Sequence, residues 1–272
     1  MIPREAPRRL VLLGHPVAHS RSPRMQTAAL AAAGIAARYD ALDIAPEHFE
    51  DAVAMLAKER AAGNVTVPYK ERMRDACDSV TPLAKHIGAV NCWWVDERGR
   101  LTGDNTDVGG FDAAVTSLLG RRPRDLSVGV LGAGGAAAGV LGAVESWPGC
   151  LAHVYNRTPE RARLLCERFR SAAHPVDDVG VIAGCQLVVN ATSVGLHDDA
   201  VPLDVSLLAA ESVVVDLVYR PNETAFVRAA RASGHRSIDG RAMLVEQGAL
   251  AFERWFGVSP DRDVMWRAVA QD

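Results

Sequence analysis

Leu126-Ser127-Val128-Gly129-Val130-Leu131-Gly132-Ala133-Gly134-Gly135-Ala136-Ala137 is the stretch on which the fold turns. The first six residues form a short, mostly apolar run of strand length, and an alanine-rich helical segment follows the glycines. Between them stands the pattern G-x-G-x-x-A. Gly132 suits a tight turn, Gly134 lets a pyrophosphate approach the backbone, and Ala137 lets helix and sheet pack closely. The glycines alone would be weak evidence; a strand before them and a helix behind them make a dinucleotide-binding loop of Gly132, Ala133, Gly134, Gly135 and Ala136.

Downstream, the next strand (Leu151 to Tyr155) ends in Asn156-Arg157-Thr158, with Arg161 one turn into the following helix. An acid at this place would hold a ribose 2′-hydroxyl. Arginine favours a 2′-phosphate, so the expected cofactor is NADP rather than NAD. The alternative is a solvated Arg157 beside a plain Thr158 N-cap. A further strand, Gln186–Asn190, runs into Ala191-Thr192-Ser193-Val194-Gly195 at the same expected sheet edge. Ser212–Val218 then leads to Tyr219-Arg220-Pro221.

Upstream, the chain alternates strand and helix: Arg9–Gly14, a helix after Ser22-Pro23 that stops at Gly34, Arg38–Asp43, and a helix from Pro46 to about Arg60. Ser20 and Ser22 are two hydroxyls beside the first helix, with Ser22 at the expected N-cap. They suit a carboxylate, though capping alone would also explain them. Asn64-Val65-Thr66-Val67 alternates polar and apolar residues, as a half-buried strand does, and Pro68 ends it. Asn64 and Thr66 share the polar face, and Lys70 follows at the carboxyl end of the strand, where open α/β sheets bind ligands. Asp107 opens a helix near Val108, a position that suits a helix-dipole acid as well as a catalytic one. Gln247 falls among core-facing positions of a long helix from Gly240 to Trp255, an odd place for an amide that merely packs.

Composition narrows the function. A net charge of −3 without a basic run excludes a nucleic-acid surface. No apolar stretch approaches a membrane span or a signal-peptide core. Five scattered cysteines, none in a C-x-x-C pair, point to free thiols in a reducing compartment and against a zinc site. His15 and His19 have no third ligand in view, so no metal is expected. The expected location is cytoplasmic.

Taken together, the motifs resemble shikimate dehydrogenase and its quinate- and shikimate-using relatives. They are H-S-R-S-P (His19–Pro23), N-V-T-V-P-Y-K (Asn64–Lys70), G-A-V-N (Gly88–Asn91), D-N-T-D (Asp104–Asp107) and G-A-G-G-A (Gly132–Ala136). N-R-T (Asn156–Thr158), N-A-T-S-V-G (Asn190–Gly195), D-L-V-Y-R-P (Asp216–Pro221) and M-L-V-E-Q (Met243–Gln247) complete the series in the family's order. The resemblance implies an α/β protein of two domains: a substrate domain (1–106), a Rossmann domain (107–238) and C-terminal helices (239–272) returning to the first. It also implies roles. Ser20 and Ser22 would hold the carboxylate of a cyclic hydroxy acid. Asn64, Thr66, Asn91, Asp107 and Gln247 would hold its hydroxyls, and Tyr219 would lie beside it. Lys70 and Asp107 would form the catalytic pair. Thr192 and Ser193 would join the cofactor site, and the chain would act as a monomer or homodimer.

The sequence departs from the family's usual pattern at Gln26 (commonly histidine), Cys92 (threonine), Arg241 and Gly248 (alanine). None is a catalytic group. A paralogue preferring quinate or another ring acid, with NAD or NADP, is the alternative expectation, and a non-catalytic ligand sensor a distant one. Thr66 favours shikimate, whose smaller ring leaves room for a side chain there.

Overall fold

The computed structural model describes residues 6–270. They form two compact units, one of residues up to 106 together with 244 onward, the other of residues 107–243.

The first unit contains β1 (Arg9–Gly14), α1 (Ser22–Ala32), β2 (Arg38–Asp43), α2 (Phe49–Lys58), β3 (Ala62–Val65) and α3 (Lys70–Ala76). It continues through β4 (Ser79–Val80), α4 (Pro82–Ile87), β5 (Cys92–Val95) and β6 (Leu101–Asp104). The second unit runs through α5 (Asp107–Leu119), β7 (Ser127–Leu131), α6 (Gly135–Glu145), β8 (Leu151–Tyr155), α7 (Pro159–Arg168) and β9 (Ala173–Pro175). After α8 (Val179–Ala183) come β10 (Leu187–Asn190), β11 (Val213–Asp216), α9 (Ala225–Ala232) and β12 (Ser237–Ile238). Helix α10 (Gly240–Phe256) passes from the second unit into the first, and α11 (Arg262–Ala270) completes it.

The first sheet has the order β2-β1-β3-β5-β6-β4. Its β1, β2 and β3 are parallel, while β5 runs antiparallel to both β3 and β6. Successive residues of β1 explain why the sheet is buried on both faces. Leu10 and Leu12 join a cluster with Met25, Ala29, Phe252 and Met265, from α1, α10 and α11. Val11 and Leu13 join Phe49, Leu56, Tyr69 and Met73 on the other face.

The second sheet is wholly parallel, in the order β12-β11-β10-β7-β8-β9. That is the doubly wound dinucleotide-binding arrangement, with its switch point between β7 and β10. The α/β fold thus matches the expectation. The strand expected at Asn64–Val67 is corrected in two respects. It ends at Val65, and all four residues of β3 are buried, because β1 and β5 take its edges and core packs on both faces, Ala62 in one cluster and Val65 in the other. Val67 is exposed in the turn beyond.

Candidate active site

Strand direction gathers the candidate residues of the first unit at one sheet edge. Strands β1 and β3 deliver the 15–22 loop and the 66–70 turn at their carboxyl ends. Antiparallel β5 begins at that same edge, so Asn91 precedes it there, and β6 ends there with Asp104 paired opposite Cys92.

The 15–22 loop is tied to its neighbours through backbone groups. The His15 N–H donates to the Val67 carbonyl (3.1 Å), and the Val17 N–H to Asp43 (3.3 Å). The His15 ring meets Asp43 at 2.5 Å and holds that carboxyl below its usual range. Ser22 is the first residue of α1 rather than its N-cap, a place taken by Arg21. The capping-type bond comes from one residue earlier: Ser20 Oγ accepts from the Ser22 N–H (3.2 Å). Accepting that bond leaves the Ser20 hydroxyl proton available to a carboxylate. Ser22 is buried and Ser20 half-buried.

At the next turn the Thr66 N–H donates to Leu13 (2.8 Å), and Lys70 opens α3 half-buried. The ring of Tyr69 anchors that start by stacking on Phe49 with centroids 4.5 Å apart. The Lys70 carbonyl accepts from the Val90 N–H (2.9 Å), fixing the turn to the segment before Asn91. Asn64 is buried between Tyr39, whose hydroxyl donates to its Oδ1 (2.8 Å), and the Asn91 carbonyl, which takes its Nδ2–H (3.0 Å).

Asn91 is the hub of the edge. Its Oδ1 accepts from the Thr106 N–H (2.7 Å), and its Nδ2 donates to Thr106 Oγ1 (3.0 Å) and Gln247 Oε1 (3.2 Å). Gln247 in turn donates to Leu244 (2.9 Å). The oddly placed amide of α10 therefore belongs to a buried polar cluster at the sheet edge. Thr106 lies in the quoted D-N-T-D run but carries no role expected from sequence; its neighbour Asp107 is the residue the pattern picks out. Asp104 is likewise missed by sequence reasoning. Its buried carboxylate accepts from Thr81 (2.5 Å), the Asn105 N–H (2.8 Å) and Arg254 (2.7 Å).

In the second unit, Gly132 has φ +110°, and a Cβ there would stand 2.8 Å from the Ala191 carbonyl oxygen. The glycine loop and the 191–195 loop therefore meet at the switch point. Gly134 caps α6 with no side-chain bond, and a Cβ on it would meet nothing within 4 Å. No acid stands in the helix's first turn. Bare N–H groups at a helix start with open space before them fit a pyrophosphate. The Gly132 N–H donates to the Tyr155 carbonyl, placing Asn156, Arg157 and Thr158 at the same edge. Arg157, Thr158 and Arg161 are exposed. Thr158 is the N-cap of α7 by position but makes no side-chain cap; instead Asn156 Nδ2 donates to its carbonyl (2.9 Å).

Asn190 holds the Thr192 loop, accepting from the Thr192 N–H (3.1 Å) and hydroxyl (2.6 Å). Behind it lies fully buried Asp216, which accepts from Asn190 Nδ2 (2.8 Å), Thr224 (2.7 Å) and the Val218 N–H (3.0 Å). Burial pushes this carboxyl up to about 6, with Asp239 adding to the effect and the three hydrogen bonds opposing it. Asp107 is the buried first residue of α5, packed so closely on α6 that a Cβ at Gly139 would lie 3.0 Å from its own. Tyr219 is half-buried beside Gly240.

Two family models match the chain. The shikimate dehydrogenase substrate binding domain matches residues 12–93, and the shikimate 5′-dehydrogenase C-terminal domain matches residues 240–270. The NADP(+) shikimate dehydrogenase of Symbiobacterium thermophilum is 43% identical over 270 residues, covering 94% of this chain and 91% of that protein. The shikimate 5-dehydrogenase of Thermus thermophilus, solved in complex with NADP(H) and shikimate, superposes with a TM-score of 0.86 at 42% identity. That match covers 96% of this chain and 97% of the other. The shikimate dehydrogenase of Aquifex aeolicus superposes with a TM-score of 0.90 at 36% identity, covering 99% of each chain.

Proposed function

The chain belongs to the shikimate dehydrogenase family, and from that premise we propose that it catalyses the reversible, NADP-dependent interconversion of shikimate and 3-dehydroshikimate. The observation that carries the reading is the Asn91–Thr106–Gln247 cluster, a buried set of polar groups at the edge where Ser20, Ser22, Thr66 and Lys70 also emerge. A ring acid with several hydroxyls matches such a set: hydroxyls exchange hydrogen bonds with amides, and a carboxylate takes hydroxyl and backbone N–H donors.

The first unit, with the C-terminal helices, is the substrate domain and the second the cofactor domain. Bound NADP supplies the acceptor for the hydride that leaves the secondary alcohol. The protein's own task is to hold the ring and manage the hydroxyl proton. Lys70 and Asp107 do the latter: the lysine takes the proton or offsets the developing charge on oxygen, and the carboxylate orients the hydroxyl. Ser20 and Ser22 hold the carboxylate; Asn64, Thr66, Asn91 and Gln247 hold the hydroxyls, with Tyr219 alongside. The pyrophosphate rests on residues 132–136, and Asn156, Arg157, Thr158 and Arg161 take the 2′-phosphate side, with Thr192 and Ser193 completing the site. All five cysteines are free, which suits a cytoplasmic enzyme, monomeric or homodimeric. Among the described residues no helix is long and apolar enough to cross a membrane.

A steady-state assay of shikimate and quinate, each with NADP and NAD, tests the reading. A dominant kcat/KM for shikimate with NADP is expected. Higher efficiency with quinate and NAD, or no turnover with any pair, would overturn it.

A further inference from the structure

Helix α10 carries a second polar side chain aimed at the same sheet edge as Gln247. Arg254 lies seven residues on, two turns along the same helix face. Its Nε donates to Asp104 Oδ2 at 2.7 Å. The two ends of the pair differ sharply: the Asp104 side chain is 1% exposed and the Arg254 side chain 56%. The carboxylate is the fixed end. Its other oxygen is held by the Thr81 hydroxyl (2.5 Å) and the Asn105 N–H (2.8 Å), and its own carbonyl accepts from the Asn91 N–H (3.1 Å). Arg254 also lines a groove of about 470 Å³ shared with Trp94 and Trp255.

We propose that the Asp104–Arg254 pair positions Gln247 for substrate by setting the axial register of α10 against β6 and Asn91. The inference rests on the proposed reading of the Gln247 site. Apolar contacts such as those of Ala249 and Phe252 hold the helix down, and buried bonds from Gln26 Nε2 to the Gly248 carbonyl (2.9 Å) and from Trp255 Nε1 to the Trp93 carbonyl (3.2 Å) tie it to α1 and β5. The Arg254 bond adds a charge-assisted tie to an immobilised carboxylate at the end of β6, the strand whose backbone holds Asn91. The helix advances about 1.5 Å per residue, so even a one-residue slip would break the 3.2 Å Asn91–Gln247 bond. Asp104 therefore serves two ends of one cluster. Its backbone holds Asn91, and its side chain holds the helix that brings Gln247 to Asn91. Both are positioning residues; neither is assigned contact with substrate.

The test is a mutant cycle on the full-length protein. Arg254→Met should raise KM for shikimate roughly tenfold, the scale of one lost charge-assisted hydrogen bond, and leave KM for NADP within about twofold. Arg254→Lys, which keeps the charge, should recover most of the loss. In a Gln247→Ala background, Arg254→Met should add less than about twofold, because the residue through which it acts is gone. Thr81→Val, which frees one side of Asp104, provides a milder variant should Arg254→Met fail to fold. Independently of turnover, the Gln247 side-chain amide resonances should shift in Arg254→Met or Thr81→Val. Multiplying effects in the double mutant, equal rises in both KM values, or unmoved Gln247 resonances would each overturn the proposal. Absence of shikimate turnover in the unmutated enzyme would instead refute the functional reading, while the resonance shift would still decide the positioning role.

Discussion

Asp216 makes the stability of the second unit depend on pH, through a carboxyl that burial shifts upward. The residue is fully buried, and burial lifts its carboxyl from 3.8 to about 6 despite hydrogen bonds from Thr224, Val218 and Asn190. In the unfolded chain the group titrates near its ordinary value. Between the two values the folded protein holds a proton that the unfolded chain has released, so stability falls as pH rises through that window. The full penalty, present above the folded value, is about 3 kcal/mol for a shift of about two units, and it vanishes below the unfolded value. Lowering the pH from about 7 to about 5 should therefore recover roughly 1 to 1.5 kcal/mol. Half-buried Asp96 and the exposed acids Asp43, Glu50, Asp199 and Asp204 are all shifted downward and act in more acid solution. His153, shifted downward by burial, opposes the trend, so the measurement is a difference between proteins. Asp216→Asn removes the titration and keeps the protein's other titrating groups in common; its altered hydrogen bonding shifts the whole profile by an offset that does not depend on pH. Hydrogen exchange of the β10 and β11 amides, corrected for intrinsic rates, reads the local stability of the second unit in both proteins. The wild-type protein should gain on the variant by roughly 1 to 1.5 kcal/mol between about pH 7 and about pH 5. Profiles that stay parallel within about 0.3 kcal/mol would refute the reasoning, because the buried charge would then carry no linkage.

Three further outcomes follow from the same structure. Lys70→Met should lower kcat by roughly 10²–10⁴-fold with a smaller change in KM, measured by steady-state kinetics; near-normal turnover would remove the lysine from the chemistry. Arg157→Ala should raise KM for NADP roughly tenfold or more, the value of a hydrogen bond to a charged group, and leave KM for NAD nearly unchanged. Gly63→Ala would put a Cβ 1.9 Å from the Val11 carbonyl oxygen, between adjacent strands at the centre of the first sheet. Backbone cannot swing aside as a side chain does, so a loss of at least about 3 kcal/mol in urea unfolding is expected.

Much of this molecule is legible from local rules because its strands are bracketed by glycine, proline or turn residues. Arg38–Asp43 and Leu151–Tyr155 fall where the pattern puts them. The error at β3 has a physical source: four residues of apparent alternation cannot distinguish a half-buried strand from a central one, and the neighbours that bury Asn64 lie far along the chain. Gln247 is readable for a related reason. An amide on the buried face of an amphipathic helix needs a polar partner, so its position alone announces a cluster. Arg254 makes no such announcement. It is a mostly exposed arginine near the end of a helix, where cations are ordinary, and its partner lies 150 residues earlier in the chain. Nor does Asp104, since an acid beside a turn is equally ordinary. Only the fold makes the pair visible, by burying one member completely and bringing the other to it. What a single sequence discloses about a site is therefore the set of polar residues that violate their local pattern. The residues that hold them in place obey that pattern and become visible only in three dimensions.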